Sequence, residues 1–155
     1  MGLKRGDPAS AFELAGTDGT EAGHRPYSLA EFRGAPVVLV FYPGDDTPVC
    51  TRQLNEYTQE IGRFRELDAA MVALSPQSVE SHDQFAAKNS GFAFPLLADE
   101  DKAVGRSFGV VGPLGFYRRS VFVIDAGGRV AWVRRSIGVL GFQPTDDLIA
   151  AVSAT

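Results

Sequence analysis

Continuous apolar runs and amphipathic segments alternate along this chain, and their order predicts an α/β fold. Unbroken apolar runs rich in β-branched residues predict three buried strands, over residues 36–42, 69–75 and 120–124. Between the first two strands, apolar residues recur at spacings of three and four, which predicts one helix over 48–67 with a single core-facing side. The residues on that side are Leu54, Tyr57, Ile61 and Phe64.

Turn residues and helix caps locate the remaining elements. We expect an N-terminal hairpin over 11–21 with its turn at 16–19, and a short helical turn from Ser28 to Phe32. The other predicted elements are a helix from Ser78 to Lys88, a short strand over 94–97, helices over 99–108 and 144–152, and a strand over 129–135 that forms a hairpin with 120–124. Helices that alternate with buried strands predict a mixed sheet with helices on both faces.

Length and charge narrow the class of protein. A chain of 155 residues is long enough for one domain with a substantial core, and its net charge of −4 gives no electrostatic basis for binding nucleic acid. The longest apolar run is far too short to span a bilayer, and residues 1–5 lack the apolar stretch of a signal peptide. We therefore expect a cytoplasmic protein that binds neither nucleic acid nor membranes.

The only cysteine, Cys50, falls at the predicted start of a helix. Thr47 is a natural N-cap, and Pro48 occupies the first helical position, where no backbone N–H is needed. Cys50 then lies in the first turn, where unpaired amides and the positive end of the helix dipole favour a negative sulfur. We expect this thiol to ionise more readily than a free cysteine and to act as a nucleophile. The alternative is a cysteine that merely fills the core, but a capped helix start beside a Gly-Asp-Asp turn argues against it.

Two motifs give the chain a resemblance to a known family. Pro43, Thr47 and Cys50 reproduce a Pro-x-x-x-Thr-x-x-Cys pattern, and residues 119–125 reproduce an Arg-x-x-Phe-x-Ile-Asp pattern. Over nearly its whole length the chain resembles the peroxiredoxins, and most of all their Q-type branch, also called bacterioferritin comigratory proteins. The resemblance implies a thioredoxin-like α/β fold: one domain over 1–155, with a central mixed β-sheet flanked by helices and an N-terminal β-hairpin extension.

The resemblance also implies an activity, that of a thiol peroxidase that reduces hydrogen peroxide and organic hydroperoxides through a sulfenic acid on Cys50. By the same resemblance, Thr47 hydrogen-bonds the substrate, Arg119 steadies the thiolate and the substrate, and Pro43 shields the cysteine. The backbone amides of Val49 and Cys50 are further candidate donors to the peroxide oxygens, because they lie at the start of the helix.

Each of these assignments has a simpler alternative. Thr47 can be a helix cap alone, although we expect it to serve both roles, and Pro43 can merely end the strand. Arg119 can be a surface charge beside Arg118, although the spacing of the second motif selects Arg119 as the site residue. Gln53, one turn after the cysteine, is a candidate for supporting the arginine or the pocket, but we expect a solvated helix residue.

Other residues give weaker signals. Tyr42 and Phe116 either wall the site or belong to the core, and we expect Trp132 to be a packing residue. His24 and His82 are isolated among polar residues, and we assign neither of them as a base or a ligand. No cluster of cysteine and histidine suggests a metal, and no glycine-rich fingerprint suggests a nucleotide cofactor, so we expect neither group.

A departure from the Q-type pattern lies five residues after Cys50, where many relatives carry a resolving cysteine and this chain has Asn55. With no second thiol in the chain, we expect a one-cysteine mechanism in a reducing compartment, in which an external thiol reduces the sulfenic acid. The candidate reductants are thioredoxin, a glutaredoxin-like protein and a low-molecular-weight thiol. By resemblance we expect a monomer or a weak homodimer.

Two other functions stay open. Thioredoxins carry Cys-x-x-Cys at this helix start, and Thr47 stands in place of the first cysteine, which leaves a monothiol disulfide oxidoreductase as one alternative. The other is a redox sensor without catalytic turnover, in which oxidation of Cys50 is itself the signal.

Overall fold

A computed structural model describes residues 2–136 and 141–155, and in that part of the chain seven strands form one mixed sheet. The strands are β1 Glu13–Thr17, β2 Arg25–Ser28, β3 Val37–Phe41, β4 Ala70–Ser75, β5 Leu96–Ala98, β6 Ser120–Ile124 and β7 Val130–Arg135. Their order across the sheet is β2-β1-β5-β4-β3-β6-β7. The β3–β4 and β4–β5 pairs are parallel, and the other neighbours are antiparallel.

Five α-helices and a 3₁₀ turn accompany these strands within the described residues. They are α1 Pro48–Gln59, α2 Ile61–Glu66, α3 Val79–Lys88, α4 Ala103–Phe108, α5 Thr145–Ser153 and the 3₁₀ turn Leu29–Phe32. Ser28 occupies the N-cap position of the 3₁₀ turn as predicted, and its backbone amide donates to Glu31 Oε2 at 2.9 Å. None of these helices has both the length and the apolar character that crossing a membrane requires.

Residues of β3 alternate between two cores, one on each face of the sheet. Val38 and Val40 join a cluster with side chains from α1, α2, α3 and α5. Val37, Leu39 and Phe41 join a second cluster with side chains from α4 and the 3₁₀ turn. All five residues are buried because helices cover both faces, as the unbroken apolar run predicted. The mixed α/β sheet is thus confirmed, and a short segment, residues 42–47, connects the carboxyl end of β3 to α1.

The N-terminal hairpin exists, but its predicted turn at 16–19 is wrong. β1 continues through Gly16 and Thr17, and the connection to β2 follows Thr17. Gly16 pairs with Leu97 of β5, and a Cβ atom at Gly16 would collide with the Leu97 side chain. This glycine therefore permits close strand packing, and the sequence signal was misread as a turn.

Two predicted helices begin or end elsewhere in the structure. The helix expected over 48–67 is interrupted at Glu60, whose φ of −98° and ψ of 8° separate α1 from α2. The helix expected from residue 99 begins only at Ala103, after Lys102 adopts a left-handed conformation with φ of 62°. Asp99 instead lies before the helix, fully buried, and its carboxylate accepts hydrogen bonds from the amides of Val104 and Gly105.

Candidate active site

Residues 43–47, which lie between β3 and α1, are called the catalytic loop below. At its end, Thr47 has extended dihedral angles, and its Oγ1 accepts a hydrogen bond from the Cys50 amide at 3.4 Å. Pro48 is the first helical residue, where its missing N–H costs no hydrogen bond. The sequence prediction of a capped helix start with Cys50 in the first turn is therefore confirmed.

Cys50 is completely buried, with no side-chain surface reaching solvent. It belongs to the core cluster on the α1 side of the sheet. Burial is what the core-filler alternative expected, but that alternative does not account for the contact that the sulfur makes. The Nη1 atom of Arg119 lies 3.2 Å from Cys50 Sγ and donates a hydrogen bond to it. The guanidinium places a positive charge beside the sulfur, an environment typical of reactive cysteines.

Arg119 reaches the cysteine because of sheet topology. β6 pairs antiparallel with β3, and Ser120, the first residue of β6, lies opposite Phe41, the last residue of β3. Arg119 therefore lies beside the end of β3, close to the catalytic loop. The side chain of Arg119 is 6% exposed, whereas Arg118 is exposed, which rules out the surface-charge alternative for Arg119. Its Nε atom is buried without a hydrogen-bond partner among the described residues. The guanidinium thus holds the sulfur and retains a free donor.

Gln53 is a buried residue, so the expectation of a solvated side chain was wrong. Its Oε1 accepts a hydrogen bond of 2.7 Å from the same Nη1 of Arg119 that contacts the sulfur. Its Nε2 donates to the hydroxyl of Tyr57 at 3.3 Å, and that hydroxyl donates to the carbonyl of Gln143 at 2.6 Å. Burial raises the pKa of Tyr57, which keeps its hydroxyl protonated as a donor. Gln53 therefore holds the Arg119 guanidinium in place beside the sulfur.

The other predicted site residues lie in the catalytic loop and in the first turn of α1. Thr47 and Pro43 are exposed, and Val49 is partly buried in the first turn of α1. The Thr47 hydroxyl also donates to the carbonyl of Gly44 at 3.2 Å, within the catalytic loop. The structure thus brings Thr47, Cys50, Gln53 and Arg119 together. The shielding role of Pro43 and the donor role of the Val49 amide stay predictions.

A second polar group, which the sequence did not reveal, lies under the catalytic loop. His82 is completely buried, with Nδ1 at 2.8 Å from Asp45 Oδ2 and Nε2 at 2.9 Å from the carbonyl oxygen of Leu97. Tyr42 donates to Asp45 Oδ1 at 2.7 Å. The available signal was helical spacing: His82 lies three residues before Phe85, which is buried on the core-facing side of α3.

The remaining aromatic and histidine assignments have mixed outcomes. Tyr42 is a core residue in the cluster that contains Cys50, and Trp132 packs against that cluster as predicted. Phe116 is 71% exposed near the ammonium group of Lys102, so the core alternative is wrong for it. His24 forms a half-exposed ion pair with Asp83. Across the described ranges, 2–136 and 141–155, no three metal-ligating side chains come together.

A thioredoxin-like sheet with a buried arginine on a cysteine at a capped helix start defines a family of thiol-dependent enzymes. Residues 5–133 match the model of the AhpC/TSA family, and the chain belongs to that family. Within it, the chain is 34% identical to Peroxiredoxin Bcp of Xanthomonas campestris over 159 aligned residues, covering 95% of this chain and 92% of the relative. It is 37% identical to the chloroplastic Peroxiredoxin Q of Sedum lineare, covering 92% and 72%.

A solved structure leads to the same branch of the family. Peroxidoxin BcpB of Mycobacterium tuberculosis superposes with a TM-score of 0.84 at 32% identity, covering 98% of this chain and 97% of that one. The predicted Q-type peroxiredoxin resemblance and the thioredoxin-like fold are thereby confirmed.

Proposed function

We propose that this protein is a thiol-dependent peroxidase that reduces hydrogen peroxide and organic hydroperoxides at Cys50. The observation that carries the proposal is the 3.2 Å contact between the Arg119 guanidinium and the sulfur of a cysteine at a capped helix start. A structural cysteine gains nothing from a buried cation beside it, because the thiol is neutral, whereas a nucleophilic thiolate is stabilised by that charge.

The oxidation step is a displacement at oxygen. The Cys50 thiolate attacks one peroxide oxygen, an S–O bond forms as the O–O bond breaks, and the departing oxygen takes the electron pair and a proton. The products are a sulfenic acid on Cys50 and water or an alcohol. Donors aimed at the oxygens lower the barrier as charge develops. We propose two donors for this role: Nε of Arg119, which has no partner among the described residues, and the Thr47 hydroxyl once it turns away from the Gly44 carbonyl.

The reduction steps need two external thiols, since Asn55 stands where a resolving cysteine would be and Cys50 is the only cysteine in the chain. The first thiol displaces water from the sulfenic acid and forms a mixed disulfide with Cys50. The second attacks that disulfide, releases the Cys50 thiolate and leaves as the oxidised, disulfide-linked reductant. We propose thioredoxin, a glutaredoxin-like protein or a low-molecular-weight thiol as reductant, in the reducing environment of the cytoplasm.

Mass spectrometry of the intact protein tests this proposal directly. After one equivalent of peroxide the mass is expected to rise by a single oxygen, and after addition of a small thiol it is expected to rise instead by that thiol as a mixed disulfide. Steady-state peroxide consumption with a panel of the three reductant classes then identifies the donor. An unmodified thiol after peroxide treatment would contradict the peroxidase proposal.

The same assays separate the two alternatives. A monothiol disulfide oxidoreductase is expected to reduce mixed disulfides faster than it consumes peroxide. A redox sensor is expected to form the sulfenic acid slowly and to show no sustained turnover with any reductant. Stopped-flow measurement of Cys50 oxidation is the deciding observation, because the Arg119 contact predicts a fast step.

A further inference from the structure

The side-chain amide of Gln53 has two chemically different ends, and only one of them suits Arg119. Its Oε1 lies 2.7 Å from Nη1 of Arg119, and its Nε2 faces Tyr57 instead. An amide nitrogen and a guanidinium nitrogen both only donate, so a reversed amide would set two donors against each other. Gln53 can therefore hold the guanidinium beside the sulfur in only one of its two orientations.

Tyr57 lies one helical turn farther along α1 and contacts the other end of this amide. Its hydroxyl oxygen is 3.3 Å from Nε2 of Gln53 and 2.6 Å from the carbonyl oxygen of Gln143. A carbonyl oxygen only accepts, so the single hydroxyl proton points to Gln143 and the hydroxyl can only accept from Gln53. Tyr57 and Gln53 are both completely buried, so water has no access to take over either role. An acceptor at this place requires the NH₂ end of the amide.

The carbonyl of Gln143 is held in place by contacts between its neighbours and α1. The ring of Phe142 meets the Tyr57 ring edge to face, with centroids 5.9 Å apart and an interplanar angle of 86°. The amide and the hydroxyl of Thr145 donate to Oε2 of Glu56 at 3.3 Å and 3.1 Å. A chain of hydrogen-bonded groups thus leads from the start of α5 to the sulfur of Cys50: the Gln143 carbonyl, the Tyr57 hydroxyl, the Gln53 amide and the Arg119 guanidinium.

We propose that Tyr57 is a positioning residue of the peroxide reaction, because its hydroxyl orients the Gln53 amide that holds Arg119 beside the sulfur. Within residues 2–136 and 141–155, Tyr57 makes no hydrogen bond to Arg119 or Cys50, so its influence passes through Gln53. The effect on the reaction rests on the proposed peroxidase function, whereas the orientation of the amide does not.

The first test removes the hydroxyl and keeps the ring. In Tyr57→Phe we expect the second-order rate of Cys50 oxidation by peroxide, measured by stopped flow, to fall about three- to tenfold. The matched control is Tyr27→Phe. Tyr27 is also buried and its hydroxyl donates to a main-chain carbonyl, that of Gly23, at 2.8 Å, but it lies in β2 at the outer edge of the sheet. We expect this control to react like the parent. A Tyr57→Phe variant that also reacts like the parent would overturn the proposal.

The second test asks whether Tyr57 acts through Gln53, and it combines Tyr57→Phe with Gln53→Leu. We expect the double variant to be oxidised no more slowly than Gln53→Leu alone, because the leucine leaves no amide to orient. A general loss of packing around Tyr57 would instead make the two losses multiply, as for independent sites, and that result would contradict the positioning role. Denaturant unfolding of the parent and the three variants measures their stabilities separately.

The third test requires neither peroxide nor turnover. It records the NMR signals of the Arg119 guanidinium protons in the reduced protein. We expect Tyr57→Phe to shift these signals although Tyr57 makes no hydrogen bond to Arg119, and Tyr27→Phe to leave them unchanged. Unchanged Arg119 signals in folded Tyr57→Phe would overturn the proposal. If the signals shift but the parent does not consume peroxide, the inference about the amide stands and the peroxidase proposal fails.

Discussion

At the scale of single residues, one guanidinium nitrogen at the candidate site serves two acceptors. Nη1 of Arg119 donates to Cys50 Sγ and to Gln53 Oε1, so the position of the charge next to the sulfur is fixed by an uncharged amide. Arginine suits this place because its planar group offers several donors in fixed directions, whereas a lysine ammonium offers a single point charge. Substitutions at these positions therefore separate charge from orientation.

Replacing Arg119 by lysine keeps the charge and removes the planar donor set. We expect the rate of Cys50 oxidation by peroxide to fall about a hundredfold, the usual effect of losing one well-placed donor to a developing charge. Stopped-flow measurement of the oxidation rate checks this, and Arg118→Lys, at the exposed neighbour, is expected to react like the parent. Equal losses in the two variants would mean that the orientation of Arg119 is irrelevant.

Replacing Gln53 tests orientation with the charge intact. Gln53→Leu leaves Arg119 Nη1 without its second acceptor, and we expect kcat/KM for peroxide to fall about tenfold, as for the loss of a hydrogen bond to a charged group. A Gln53→Leu variant that reacts with peroxide at the rate of the parent would remove the positioning role.

Local sequence signals predicted part of this site and long-range contacts determined the rest. Thr47 and Cys50 lie within one helix start, so capping rules located them from the sequence alone. Gln53 and His82 were misread as solvated or isolated, because a polar residue gives no sign of burial when its partner is distant in sequence. Gln53 meets Arg119 across 66 positions, and His82 meets Asp45 across 37.

At the scale of elements, the helix starts show which boundaries a sequence can specify. α1 begins where its own cap and Pro48 place it, because both signals are local. α4 begins later than predicted, because Asp99 binds amides five and six positions ahead in sequence across an intervening left-handed residue. The Asp99-Glu100 pair resembles a helix start, but the Asp99 carboxylate accepts these hydrogen bonds from a position four residues before the helix begins. Strand boundaries were predicted more closely, since buried apolar runs of β3 and β4 are continuous.

The buried carboxylate of Asp99 provides a stability test for this element. It accepts hydrogen bonds from the amides of Val104 and Gly105 and from the Tyr117 hydroxyl, so Asp99→Ala leaves three donors without their acceptor. We expect the free energy of unfolding to fall by about 3 kcal/mol. Denaturant unfolding measures it, with Asp101→Ala as control. Asp101 is exposed and accepts only the Ala103 amide, so its loss is expected to be about 1 kcal/mol or less.

At the scale of the whole molecule, the buried pair under the catalytic loop links global stability to acidity. The pKa of Asp45 is lowered from its ordinary value of 3.8 in the folded protein. A carboxyl group of this kind stabilises the fold above its unfolded pKa, and the contribution is lost as the pH falls through the folded pKa. The stability advantage of the parent over Asp45→Asn is therefore expected to be full at pH 6 and to shrink below about pH 4.

Unfolding free energies of both proteins from pH 7 down to about pH 2.5 check this expectation. Asp18 and Glu31 also have lowered pKa values, but both proteins carry them, so their effect cancels in the difference. A difference that stays constant over the whole range would mean that the Asp45 carboxylate is not engaged in the folded state.

The two outermost strands of the sheet have a consequence for how the molecule meets copies of itself. β2 contains Pro26, which has no N–H to offer to an incoming strand. On the opposite rim, Val130 of β7 already exchanges backbone hydrogen bonds with Gly6 and Asp7, so part of that rim is occupied by the chain's own amino-terminal segment. Fibril growth and sheet-to-sheet fusion both require a long unpaired backbone. Pro26 and the covered end of β7 therefore shorten the stretch of unpaired backbone that another copy of this protein can pair with at each rim.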